Sequence, residues 1–304
     1  MTIDAHFHCW QLARADYGWL TPALAPIYRD VSIADWQRES APHGVTGGVL
    51  VQAAPTEAET HFLLEQADVH PAVLGVVGWV DLLATHATGR IRALAKHPKL
   101  KGLRPMLQDI ADPQWILQPA LAPALQTMAE CGLVFDALVT SVHLPHILAL
   151  SMRYPDLRIV IDHAAKPGIA RGEWQPWADA LAQIAADTTA MCKLSGLLTE
   201  AGPAPQPDAV RRWADHVLEG FGPQRVVWGS DWPVLELAAS YTQWSRETRY
   251  LLEGLGAKER DAVLGANARK LYRLEFVSCS LPRWGRAGVG ASHEVALLLA
   301  VPPP

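Results

Sequence analysis

The sequence predicts a single α/β domain, a (β/α)8 barrel of the TIM type. Three observations predict it: eight short apolar runs, amphipathic stretches between them, and a length of 304 residues. Strands covered on both faces, as in parallel sheets, read as near-continuous apolar runs. Their alternation with helical stretches implies parallel pairing, and eight such units within residues 1–274 favour closure into a barrel over an open doubly wound sheet.

The predicted strands cover 3–7, 48–51, 73–80, 100–103, 133–139, 157–161, 190–194 and 225–228. Helix signals fill the gaps. Ser32 and Asp35 form a capping arrangement, and Thr56 with Glu59 fits a capping box that opens a helix to His70, stopped by Pro71; Glu59 is best explained by that cap. A helix over 119–131 is stopped by Gly132, and one over 141–154 carries Pro145 in its first turns and is stopped by Pro155. Further helices are predicted over 173–186, 208–218, 239–252 and 257–274. Residues 275–304 carry Gly, Pro, Arg and Ser without periodicity and are expected to form an irregular, mobile tail.

Composition narrows the function. Half of the residues are hydrophobic, which excludes a disordered chain. A net charge of −5 with no basic run argues against nucleic acid or an anionic membrane surface as partner. No apolar stretch reaches the roughly 20 residues of a transmembrane helix. The N-terminus lacks the basic and apolar segments of a signal peptide. The four cysteines, Cys9, Cys131, Cys192 and Cys279, contain no C-x-x-C pair and read as free thiols of a cytoplasmic protein. No G-x-S-x-G elbow and no Gly-rich phosphate loop is present, so neither a serine hydrolase nor a nucleotide cofactor is expected.

Four polar residues fall at predicted strand ends, which form the active-site rim of such a barrel. His6 and His8 make an H-x-H on the first strand; side chains two apart share a face, so both imidazoles can meet one metal ion or substrate. His163 ends the sixth strand, and Asp162 before it is expected to point the other way, toward the helices. Asp231 follows the eighth strand, placed to ligate a metal, to accept a proton from water, or to cap a helix. Together, three imidazoles and a carboxylate suit a borderline divalent ion such as zinc. Arg104 ends the fourth strand with a rigid fork suited to carboxylate or hydroxyls, Gln52 can bond a hydroxyl, and Lys166 can reach the substrate from beyond His163. Trp10, Trp79 and Trp232 are candidate pocket walls or core.

The segments Ile3-Asp4-Ala5-His6-Phe7-His8, Ile161-Asp162-His163 and Gly229-Ser230-Asp231-Trp232-Pro233, with the closing Asn267-Ala268-Arg269-Lys270-Leu271-Tyr272, resemble the amidohydrolase superfamily in its amidohydrolase-2 branch. Val51-Gln52-Ala53-Ala54, Gly78-Trp79-Val80-Asp81, Lys101-Gly102-Leu103-Arg104 and Lys193-Leu194-Ser195-Gly196 are similar to the sugar-lactone hydrolases of that branch, the L-fucono-lactonase and L-rhamnono-lactonase type, with 2-pyrone-4,6-dicarboxylate lactonases more distant. The resemblance covers residues 1–274 and implies hydrolysis of an aldonolactone to its acid. In that reading His6, His8, His163 and Asp231 hold a metal, Asp231 and His163 transfer protons, and Arg104, Gln52, Lys166 and the three tryptophans bind substrate. The chain departs from the superfamily pattern in one respect. Where many members carry a bridging Lys or Glu on the fourth strand and a His on the fifth, its fourth offers Lys101-Gly102-Leu103-Arg104 and its fifth, Phe135-Asp136-Ala137-Leu138-Val139, has no His, so one divalent ion, or a metal-independent site, is expected in place of a two-metal centre. Two alternatives stay open: a metal-dependent decarboxylase of the same branch, and a barrel that binds sugar acids without turnover.

Overall fold

Eight parallel strands pair in sequence order: β1 (Thr2–Phe7), β2 (Val45–Val51), β3 (Val73–Gly78), β4 (Leu100–Leu103), β5 (Val134–Ala137), β6 (Arg158–Ile161), β7 (Met191–Leu194) and β8 (Val226–Trp228). The computed structural model describes residues 1–206 and 208–275, so the tail expected over 275–304 lies outside them except for Glu275. Each strand overlaps its predicted run. The barrel closes where β1 meets the segment after β8: Asp231 donates its amide to the His6 carbonyl at 2.8 Å, and His8 donates to the Trp232 carbonyl at 2.8 Å.

Asp4 fixes that seam from outside. Its buried carboxylate accepts from the Ser230 amide at 2.8 Å, the Ser230 hydroxyl at 2.6 Å, and Trp36 Nε1 and the Tyr241 hydroxyl at 2.9 Å each. Four donors offset the cost of burying one carboxylate.

Helices cover the barrel: α1 (Ile33–Ser40), α2 (Glu57–Val69), α3 (Ala87–Leu94), α4 (Ala122–Glu130), α5 (Leu144–Arg153), α6 (Trp177–Asp187), the short α7 (Leu197–Glu200), α8 (Arg211–Phe221), α9 (Tyr241–Leu251), α10 (Ala257–Asp261) and α11 (Asn267–Tyr272). The capping box at Ser32 forms as the sequence predicts. At α2 only half of the box forms. Thr56 Oγ1 accepts from the Glu59 amide at 3.0 Å, but the Glu59 carboxylate turns inward and accepts from the Ala53 amide at 2.7 Å. Glu59 therefore ties the end of β2 to α2 and does not complete a cap. Among the described residues no helix is long and apolar enough to cross a membrane.

The apolar core has two shells. Ile3, Ala5, Val49, Val51, Val160 and Val227 pack inside the barrel, and Leu271 and Tyr272 of α11 join them. A larger cluster between strands and helices includes Phe7, which stacks on Trp36 with ring centroids 3.9 Å apart. These shells show which way each strand residue points. On β1, Ile3 and Ala5 face inward while Asp4 and Phe7 face the helices; strict alternation would send His6 outward with Asp4. The pairing of β1 with β2 shifts register between Asp4 and Phe7, and this irregularity turns His6 inward next to Ala5.

Candidate active site

His6 and His8 leave β1 toward the C-terminal mouth of the barrel, both buried. Their surroundings leave little freedom. A Cβ at Gly229 would lie 2.8 Å from the His6 Cβ, so only glycine lets β8 approach β1 here. His8 Nδ1 sits 2.8 Å from the Val51 carbonyl, which can only accept; Nδ1 therefore carries hydrogen, and Nε2 faces Asp231.

His163 stands at the start of an unusual turn. His163, Ala164, Ala165 and Lys166 all have left-handed backbone, with φ of 51°, 49°, 60° and 47°. For residues with a Cβ this costs about 1–2 kcal/mol each. Two contacts hold the turn: Trp177 Nε1 donates to the Ala164 carbonyl at 2.7 Å, and His163 Nδ1 lies 2.9 Å from Ser195 Oγ. Gly196 makes room, since a Cβ there would lie 2.8 Å from the His163 ring, and its own φ is +67°. The turn also explains why Asp162 departs from its expected direction. Val160 faces the barrel interior, so Asp162, two residues on, faces inward as well, not toward the helices. His163 reaches the same interior only because the chain leaves the extended conformation at that residue.

Asp231 is left-handed too, with φ of 59°. Its Oδ1 lies 3.6 Å from His6 Nε2, 3.3 Å from His8 Nε2 and 3.7 Å from His163 Nε2. Burial opposes its ionisation, but His163, the His8 hydrogen bond and His6 outweigh burial and hold the carboxyl well below the usual range. Burial lowers His163 to about 4. Burial, reinforced by the Lys193 charge, takes His6 well below its ordinary value. The floor of the mouth thus sets an ionised Asp231 carboxylate beside the neutral imidazoles of His6 and His163.

That protonation pattern fits a metal, which is bound by neutral imidazole and ionised carboxylate. His6, His163 and Asp231 each offer one ligand atom, all within 4.8 Å of one another. His8 lies beside this trio on Asp231 and is not one of the three.

Arg104 supports the floor. Its Nη2 donates to Gln52 Oε1 at 3.0 Å and to the Gln52 carbonyl, and Gln52 Nε2 donates back to the Arg104 carbonyl at 3.0 Å. Gln52 is fully buried by this exchange and holds Arg104 from behind. The cleft above has a volume of about 240 Å³. Arg104, Lys166, His8, His163 and Asp231 line it, together with Gln108 and Asp109 and an apolar wall of Trp19, Leu24, Leu138, Val234 and Leu237. Of the three tryptophans singled out from sequence, Trp10 and Trp232 are buried behind the cleft, donating to the Arg29 carbonyl and to Glu236. Trp79 lines a neighbouring hollow with Trp115, next to Met106 and Asp109, which border both spaces.

The family model described as amidohydrolase matches residues 3–274. The chain belongs to the amidohydrolase family. It is 47% identical over 277 residues to an L-fucono-1,5-lactonase of Burkholderia ambifaria, covering 90% of this chain and 96% of that one. It is 35% identical over 286 residues to an L-fucono-1,5-lactonase of Burkholderia multivorans, again over 90% and 96%. A crystal structure of an amidohydrolase from Burkholderia multivorans with bound zinc matches with a TM-score of 0.85 and 35% identity, over 90% of this chain and 100% of that one.

In this amidohydrolase the sequence alone missed the layer beneath the imidazoles. Lys193 of β7 is fully buried, its Nζ 2.6 Å from Asp136 Oδ2, 2.9 Å from Asp162 Oδ1 and 3.0 Å from His6 Nδ1. Tyr272 of α11 donates to Asp136 Oδ2 at 2.6 Å from below. Burial works against the Lys193 charge, but the two carboxylates outweigh it and raise its proton affinity. Burial lifts Asp136 to about 6 against the pull of Lys193; burial opposes the ionisation of Asp162 as well, but Lys193, His6 and Arg104 together outweigh it and hold that carboxyl well below its ordinary value. The available signal was charge inside an apolar strand: Lys193 in Met191–Leu194 and Asp136 in Val134–Ala137. A charged residue in a strand buried on both faces has to find a partner inside.

Proposed function

We propose that this protein is a lactonase that opens a sugar lactone, L-fucono-1,5-lactone or a close analogue, to the aldonate. The observation that carries the reading is Asp231 ringed by His6, His8 and His163, at 3.6, 3.3 and 3.7 Å, at the bottom of a cleft that also presents Arg104. The 47% identical relative named for that activity supports it. So does the cleft lining: Gln108, Asp109 and Lys166 suit sugar hydroxyls, and the apolar wall suits the methyl group of a 6-deoxy sugar.

The lactone carbonyl carbon lies over Asp231, with its oxygen toward Arg104. Water adds to that carbon and Asp231 takes the proton. A carboxylate held this acidic is a weak base, so it takes the proton late, as the new C–O bond makes the attacking water strongly acidic. The oxyanion is stabilised by the fixed positive charge of Arg104. Collapse breaks the bond to the ring oxygen, and the proton on Asp231, or one relayed by His163, goes to the departing alkoxide. The product is the open hydroxy acid, with atoms and charge balanced by the one water consumed.

The cofactor in this reading is a single zinc ion. His6, His163 and Asp231 would hold it, and when bound it supplies Lewis-acid polarisation of the carbonyl or an acidified water. Barrel strands β4 and β5 offer no further imidazole for a second ion, and the Asp136 carboxylate of β5 is engaged by Lys193 and Tyr272. We place the protein in the cytoplasm, consistent with Cys9, Cys131 and Cys192 being free thiols.

Acid release from a panel of five- and six-membered sugar lactones tests the reading. Fast release confined to L-fuconolactone and its near stereoisomers is the expected result. No release from any lactone, with zinc supplied, or release of carbon dioxide from aromatic acids instead, overturns it.

A further inference from the structure

The buried layer below the site has no part in the mechanism above, yet one of its members touches His6 directly. We propose that Lys193 is a positioning residue that fixes His6 as the Nε2–H tautomer, so that His6 presents a hydrogen-bond donor to the cleft floor.

An ammonium has hydrogens and no lone pair. Lys193 Nζ lies 3.0 Å from His6 Nδ1, so Nδ1 must turn its lone pair to the lysine. A neutral imidazole has one N–H, and that hydrogen then sits on Nε2, which faces Asp231 Oδ1 at 3.6 Å. Lys193 is held charged in that role by Asp136 at 2.6 Å and Asp162 at 2.9 Å, and Tyr272 fixes Asp136.

One contact points the other way. Arg104 Nη1, also a donor, is 3.4 Å from His6 Nε2. That contact is longer than the lysine contact, and the same Nη1 has Asp162 Oδ2 as an alternative acceptor at 3.4 Å. The lysine contact therefore decides the tautomer.

The second tautomer has its acceptor ready. Asp162 Oδ1 is buried, accepts from Lys193 Nζ at 2.9 Å and lies 3.6 Å from His6 Nδ1. A hydrogen on Nδ1 would go there once Lys193 gave way. Holding zinc through Nε2 requires that arrangement, because the metal needs the Nε2 lone pair. Lys193 and Asp162 thus set His6 between a donor state and a ligand state.

Nitrogen-15 NMR of the imidazole rings reads this directly. In zinc-free protein, with His6 assigned by loss of its signals in His6→Gln, the expected result is a proton-bearing Nε2 and a lone-pair Nδ1. The reverse pattern overturns the proposal. In a Lys193→Met, Asp136→Asn double variant, which removes buried charge in a pair, the pattern is expected to reverse; an unchanged pattern shows that Lys193 does not set it and overturns the proposal equally. If the double variant does not fold, the wild-type spectrum still decides. The catalytic consequence rests on the lactonase reading: kcat falls about 10- to 100-fold in the double variant with KM nearly unchanged, the size usual for a group that orients another. The NMR result needs no turnover, so failure of the tautomer and failure of the lactonase reading are separately visible.

Discussion

His8 Nε2 faces Asp231 Oδ1 at 3.3 Å while His8 Nδ1 donates to the Val51 carbonyl at 2.8 Å. A neutral His8 in this geometry turns a lone pair to a carboxylate; only its protonated form donates to both. His8 is therefore placed to hold a proton next to Asp231 during turnover. Replacing it with phenylalanine keeps the ring and the packing but removes that capacity. His8→Phe is expected to lose about 10²-fold or more in kcat, the usual range for one acid–base group. Steady-state kinetics with a folded-state check by circular dichroism measures it, and a variant within a few-fold of wild type contradicts the role.

Gly196 is the residue on which the His163 ring leans. A Cβ there meets His163 ring atoms at 2.8 Å, and the backbone is left-handed. Gly196→Ala is expected to cost about 1–3 kcal/mol of stability and to displace His163 from Asp231. Thermal unfolding and turnover should fall together. An alanine variant with native stability and rate would show that the loop moves freely.

Arg104 works as a fork. Its Nη2 bonds Gln52 Oε1 at 3.0 Å while its Nη1 lies 3.4 Å from Asp162 Oδ2. Lysine keeps the charge but cannot span both partners. Arg104→Lys is expected to reduce kcat/KM by roughly tenfold or more, the scale of a charge-assisted hydrogen bond. An unchanged kcat/KM would show that charge alone suffices there.

Glu59 predicts a pH dependence of stability that has nothing to do with catalysis. Burial raises its carboxyl from 4.5 to about 7, against the hydrogen bond from the Ala53 amide. The folded state therefore binds this proton more tightly than the unfolded chain. Its contribution to stability is complete below pH 4.5, is lost as pH rises from 4.5 to about 7, and is constant above. At about 1.4 kcal/mol per unit the change is at most about 3.5 kcal/mol. In urea unfolding at a series of pH values, Glu59→Gln should show a flatter profile than wild type across that window. Parallel profiles would contradict the assignment.

Much of this was legible in the sequence, because both faces of each strand are apolar and apolar runs mark such strands plainly. The ligand-type residues were legible because strand ends are also where the runs stop: His6, His8, His163 and Asp231 all meet in the mouth. What the sequence did not reveal depends on backbone irregularity and on partners far apart in the chain. Alternation alone sends Asp162 outward if His163 is assumed to point in; the left-handed turn at His163 brings both inward. Glu59 looks like a cap at three-residue spacing, but its carboxylate serves Ala53 across the loop. Lys193 and Asp136 are separated by 57 residues and become a pair only once the barrel has closed.

The most direct test of the account follows wild-type protein and Asp231→Asn side by side on L-fucono-1,5-lactone, with acid release read by a pH indicator. The account predicts rapid opening by the wild type and a loss of about 10³-fold in the variant, within the range of one general base, with both proteins equally folded. Equal rates in the two proteins, or no opening above background by the wild type, would contradict it.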